Sequence, residues 1–104
     1  MNIRNYLKNP VDIKIVDKNI DFDGAKEIAK AKAKTFCSEP MLLAWYQGKT
    51  GEYLPKAECG RTDKPVWIVY AESRDADITI NINDEEYVFI YKAMDRSGRR
   101  IIVK

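Results

Sequence analysis

The chain has 104 residues, 45 % hydrophobic and 33 % charged, a composition that excludes disorder and leaves room for one domain with one core. Its 18 basic and 16 acidic side chains give a net charge of +2, too balanced for a dedicated nucleic-acid binder. Histidine is absent, which removes histidine-activated nucleophiles, histidine acid–base chemistry and histidine metal sites.

In chain order, charges interrupt every apolar stretch from Met1 to Pro10, so no signal-peptide core is read there. Val11–Val16 alternates apolar and polar residues, as a half-buried strand does. Asp23–Phe36 is rich in Ala and Lys and predicts an amphipathic helix covering one face of a sheet. Ala25, Ile28, Ala29, Ala33 and Phe36 share one face of it and Lys26, Lys30 and Lys34 another, with Asp23 placed as N-cap. Pro40 prevents continuation much beyond Ser38.

Beyond Pro40 the pattern turns to β. Met41–Gln47 predicts a strand, and Gly48–Lys64 has no regular period. Pro65–Ala71 is apolar on both alternating faces, the pattern of a central strand covered on both sides. Ala76–Ile82 alternates, with one face expected against the core and the other in water. Asn83–Glu85 supplies a turn, and Glu86–Tyr91 returns as a second two-sided strand. Asp95–Gly98 reads as a further turn and Arg99–Val103 as a final strand. The expectation is a single α+β domain over residues 1–104: one N-terminal helix on a mostly antiparallel sheet, in the order β-α-β-β-β-β-β.

Several motifs come close and fail. Gly48-Lys49-Thr50 resembles the end of a phosphate-binding loop, but Leu43 stands where the first glycine belongs, and Gly51 and Pro55 follow where a helix is needed. Asn19–Gly24 resembles half of a calcium loop whose closing glutamate is replaced by Lys30, so Asp21 and Asp23 read as helix-capping residues. Asp75, Asp77, Asp84, Glu85 and Glu86 read as the solvated ends of a hairpin rather than a cation site. Tyr87, Phe89 and Tyr91 share a strand face, with Trp67 expected on a neighbouring strand. They read as core packing, against the sharper alternative of a stacking platform. An RNA-recognition motif is rejected, because its basic-glycine-aromatic signature is missing and no second helix is read after the middle strands. No metal, cofactor or catalytic residue is assigned.

The Gly48–Lys64 stretch is too long for an idle connection in a compact domain, and loops on a rigid scaffold tend to carry function. It contributes Lys49, Tyr53, Glu58, Cys59 and Arg61, which with Trp67 form the candidate contact set for a small molecule or a protein. The expected function is a non-catalytic binding module using this loop and the adjoining sheet face. The alternative is a small thiol enzyme or redox protein built on Cys59, assisted by Lys49, Glu58 or Arg61. Cys37 and Cys59 are read as thiols rather than a disulfide, and the domain as cytoplasmic. The longest uncharged apolar run, Met41–Tyr46, is too short to span a bilayer, so no membrane partner is expected, and a homodimer is left open.

Met41-Leu-Leu-Ala-Trp-Tyr-Gln-Gly-Lys-Thr-Gly-Glu-Tyr-Leu-Pro55, followed by Cys59-Gly60 and Val66-Trp-Ile-Val-Tyr70, resembles a family of small prokaryotic domains of unknown function. The resemblance covers most of the chain, implies a stand-alone cytoplasmic protein and carries over no site residue.

Overall fold

The structure, a computed structural model, describes residues 3–16, 19–56 and 64–94. A short 3-10 turn, Ile3–Tyr6, precedes β1 (Val11–Ile13), α1 (Phe22–Ala33), β2 (Pro40–Gln47), β3 (Tyr53–Leu54), α2 (Val66–Ser73), β4 (Ile78–Ile82) and β5 (Tyr87–Ala93). The five strands form one mixed sheet in the order β1-β4-β5-β2-β3. β1 pairs β4 in parallel, and β4–β5, β5–β2 and β2–β3 are antiparallel. The fold is α+β. The expected final strand and the turn before it lie outside the described residues.

α1 follows from its sequence with two adjustments. Asp21, not Asp23, is the N-cap: its backbone is extended and its carboxylate accepts the Gly24 N–H at 2.8 Å. Asp23 instead lies in the first turn, where the helix dipole favours a carboxylate. The face on the sheet is an alanine stripe, Ala25, Ala29 and Ala33, each 0 % exposed. Phe36, expected on that face, lies past the helix end and is 42 % exposed. Phe22 starts the helix and packs its ring 4.7 Å from Trp45 and 5.5 Å from Phe89.

Pro65–Ala71 is not the expected central strand; α2 begins at Val66 with the Pro65 carbonyl accepting from Ile68 and Val69. An uninterrupted apolar run fits a buried helix and a two-sided strand equally well by periodicity, and its β-prone residues yield to tertiary packing. The stop is a Schellman turn: Ala76 N–H reaches Ala71 C=O and Asp75 N–H reaches Glu72 C=O, each at 3.1 Å. Asp75 takes the left-handed backbone (φ 64°) that glycine usually fills there.

The observed order is therefore β-α-β-β-α-β-β, with α1 on one sheet face and α2 on the other. One core layer joins α1 to Ile78, Ile80, Ile82, Tyr87, Phe89 and Tyr91; the second joins α2 to Ala44, Val88 and Ile90. This corrects two further expectations. β4 is covered on both sides, with Asn81 at 0 % exposure on the face expected in water. The second helix thought missing after the middle strands is present, yet it closes the sheet face that a base-stacking platform would need. Tyr87, Phe89 and Tyr91 are core, buried beneath α1.

Candidate functional site

β2 has eight residues and pairs with β5 from Pro40 to Gln47. On its outer side β3 supplies only two partners, Leu54 opposite Trp45 and Tyr53 opposite Tyr46. Pro55 then follows, and it has no N–H with which to extend the ladder. Pro40 to Ala44 thus present a strand edge with no strand partner on that side among the described residues.

The side chains along this edge are apolar. Leu42, Leu43, Ala44, Trp45, Leu54 and Pro55 line a shallow groove of about 210 Å³. Leu54, which lines it, is 46 % exposed, and Met41, next to Leu42 in β2, is 42 % exposed. A β-bulge at Leu43 breaks the register with β5 between Leu42 and Ala44. Its consequence is visible in the packing: Leu42 and Trp45 face α1, whereas the consecutive Leu43 and Ala44 both face α2. A second hollow of about 160 Å³ lies at the opposite sheet edge, where Ile78 and Thr79 of β4 run past the start of β1.

The β2–β3 turn is fastened to the β4–β5 turn. Gly48 N–H donates to Glu86 C=O at 2.7 Å, and a Cβ on Gly48 would collide with the Glu85 carbonyl oxygen. Lys49 Nζ holds Glu86 Oε2 at 2.7 Å, which raises the Lys49 pKa and lowers that of Glu86. Arg4 reaches Asp12 at 2.8 Å, Glu85 at 3.0 Å and Asp84 at 3.5 Å. Asn83, Asp84 and Glu85 all have positive φ, and buried Asn81 holds the turn by accepting from Glu85 N–H and donating to its carboxylate. The carboxylates read as hairpin ends fall into two groups, Asp84–Glu86 at this turn and Asp75 with Asp77 at the start of β4. Among the described residues no group of His, Cys, Asp and Glu is placed to hold a metal ion. No helix there is long and apolar enough to cross a membrane.

The sequence-derived contact set is partly dispersed. Lys49 is a strap between two turns, although its side chain stays 56 % exposed. Tyr53 lies in β3 with Lys56 Nζ 4.5 Å above its ring. Trp67 is on α2 rather than on a strand, 1 % exposed and stacked 5.1 Å from Tyr46, so it supports the layer beneath and offers no surface. Glu58, Cys59 and Arg61 lie outside the described residues. Cys37 is buried behind α1. Leu42, Leu43, Leu54 and Pro55 are outside the sequence-derived contact set. Their signal is a proline closing a strand too short to cover its neighbour.

A crystal structure of the protein AF1514 from Archaeoglobus fulgidus has the same fold, with a TM-score of 0.69 and 23 % identity over 84 % of this chain and 95 % of that one. An uncharacterized protein of Archaeoglobus fulgidus is 33 % identical over 79 residues, 75 % of this chain and 84 % of the relative. Residues 8–91 match the family described as a domain of unknown function, DUF5619. With most of its length inside that match, from just before β1 to the middle of β5, the chain belongs to this family of small prokaryotic domains.

Proposed function

We propose that the protein is a non-catalytic binding module that accepts an extended peptide segment of a partner protein along the outer edge of β2, beside the Gly48–Lys64 loop. One observation carries this reading: eight residues of β2 meet only two of β3, next to an apolar groove. A strand added there gains main-chain hydrogen bonds from the edge and seats alternate side chains against Leu42, Leu43 and Leu54. Both sheet faces carry a helix, so the edge, and not a face, is the available surface. Tyr53 flanks it, and Glu58, Cys59 and Arg61 follow in the same loop by sequence.

Amide shift mapping with an eight-residue peptide of alternating valine and lysine tests the reading. The expected perturbations fall on Met41–Trp45 and Tyr53–Leu54, and Leu54→Lys, a change at an exposed rim position, weakens them. Perturbations confined to Lys26–Lys34 would place the binding surface on α1 instead.

A further inference from the structure

We propose that the outer face of α1 is a contact surface for a second copy of this chain, the two helices lying antiparallel about a two-fold axis. This surface is separate from the β2 edge, and the inference stands independently of the peptide-binding reading.

Four exposed charged residues carry it: Asp23, Glu27, Lys30 and Lys34. At about 100° per residue they fall within about 60° of arc, in one row along the helix. The row lies about 130° round from the midline of the buried stripe Ala25, Ala29 and Ala33, so it looks away from the sheet. Lys34 continues the row although it caps the helix: its backbone is helical and its N–H donates to Lys30 C=O at 3.0 Å.

The order along the row is acid, acid, base, base, and its spacing is symmetric. Asp23 and Glu27 are four residues apart, about 6 Å along the axis, and so are Lys30 and Lys34. A two-fold axis between positions 28 and 29 sets Asp23 opposite Lys34 of the other copy and Glu27 opposite Lys30. Each pair occurs twice, so every charge of the row meets an opposite one. Lys26, beside the row, then faces the small, neutral and exposed Ala31, which lets the helices approach.

Within the chain these charges are not matched. Arg4, Lys8, Lys49 and Lys64 are in salt bridges, whereas none of the four row residues forms one among the described residues. The helix dipole accounts for Asp23 in the first turn and Lys30 in the last. It does not account for Glu27 in the second turn, nor for the shared row. Exposed ion pairs are individually weak and the 12-residue helix is only about 18 Å long, so the dimer is a weak, salt-sensitive one.

Sedimentation of the full-length chain at up to about 1 mM tests this, together with two charge-reversed variants. Asp23→Lys/Glu27→Lys makes the row wholly basic, and Lys30→Glu/Lys34→Glu makes it wholly acidic. Each variant alone should associate at least about tenfold more weakly than the wild type, because like charges meet. Mixed in equal amounts, the two should form a heterodimer at least as tight as the wild-type dimer, since every facing pair is again opposite. Lys32→Glu, about 160° round the helix from Lys34, reverses a charge off the row and should leave the dimer unchanged. Raising the salt from about 0.1 M to 1 M shortens the screening length from about 10 Å to 3 Å and should weaken the wild-type dimer at least about tenfold. Amide shifts of the wild type that change on dilution should fall on Asp23–Lys34.

A wild-type chain that stays monomeric throughout overturns the inference. Mixed variants that associate no more tightly than either alone do the same, as does a Lys32→Glu chain weakened as much as the row variants. A dimer that both reversed variants keep, or dilution shifts confined to Met41–Leu54, assigns the contact to another surface and also overturns it.

Discussion

Tyr91 shows how a single buried atom can work against the fold that contains it. Tyr91 is 3 % exposed beneath α1, and among the described residues its hydroxyl has no hydrogen-bond partner. An unmatched buried hydroxyl costs about 1–3 kcal/mol, so Tyr91→Phe is expected to raise stability by about 1 kcal/mol, read as a higher urea midpoint. Burial, and secondarily the negative charge of Glu27, pushes the Tyr91 pKa up from its ordinary value. The unfolded chain ionises this phenol from about pH 10 while the folded chain keeps it protonated, so stability falls as pH rises past that point. Tyr91→Phe should lose that part of the alkaline decline. A less stable variant, or an identical slope above pH 10, would contradict the assignment. At this scale the sequence placed Tyr91 in a core row correctly, but nothing in it shows that the hydroxyl finds no acceptor.

Among the elements, α1 and α2 meet the sheet by different means. α1 approaches through Ala25, Ala29 and Ala33, small side chains that let the helix lie close over Phe89 and Tyr91. Ala29→Leu leaves helix propensity almost unchanged, so its cost measures the closeness of that approach. Overpacking by a few methylenes predicts about 1–3 kcal/mol of destabilisation with an unchanged urea slope. No loss would mean the interface is looser than the stripe implies. α2 presents Trp67 and Ile68, large groups packed over β2 and β5, with Ala71 beside them. α1 was legible because alternating surface lysines and buried alanines mark a period of 3.6. α2 was not, since a helix apolar on most sides carries no period.

Across the whole molecule the two core layers are not independent, because β2 and β5 send alternate side chains into both. Trp45 belongs to the α1 layer and Trp67 to the α2 layer, so each tryptophan reports on one side. Single-tryptophan variants, Trp45→Phe and Trp67→Phe, should give fluorescence transitions in urea whose fractional unfolding coincides with circular dichroism of the same variant. An α2 layer that melts first, seen as an early Trp67 transition in Trp45→Phe, would show that the layers are separable.

By itself the sequence determined the α+β class, α1, the positions of β2, β4 and β5 and the turn at Asn83–Glu85, and it favoured core packing for the aromatic row, whose burial the structure then decided. These follow from local pattern: alternation, helical spacing, turn residues and the stop at Pro40. Tertiary structure decided the rest. It made Val66–Ser73 a helix, because a sheet with one uncovered apolar face needs a layer there more than it needs another strand. It moved Trp67 from the candidate surface into the core and turned Lys49 into a strap to Glu86. It also located the edge of β2 that has no strand partner among the described residues, which depends on the unequal lengths of two paired strands. Strand pairing is a long-range property, and no window of residues contains it.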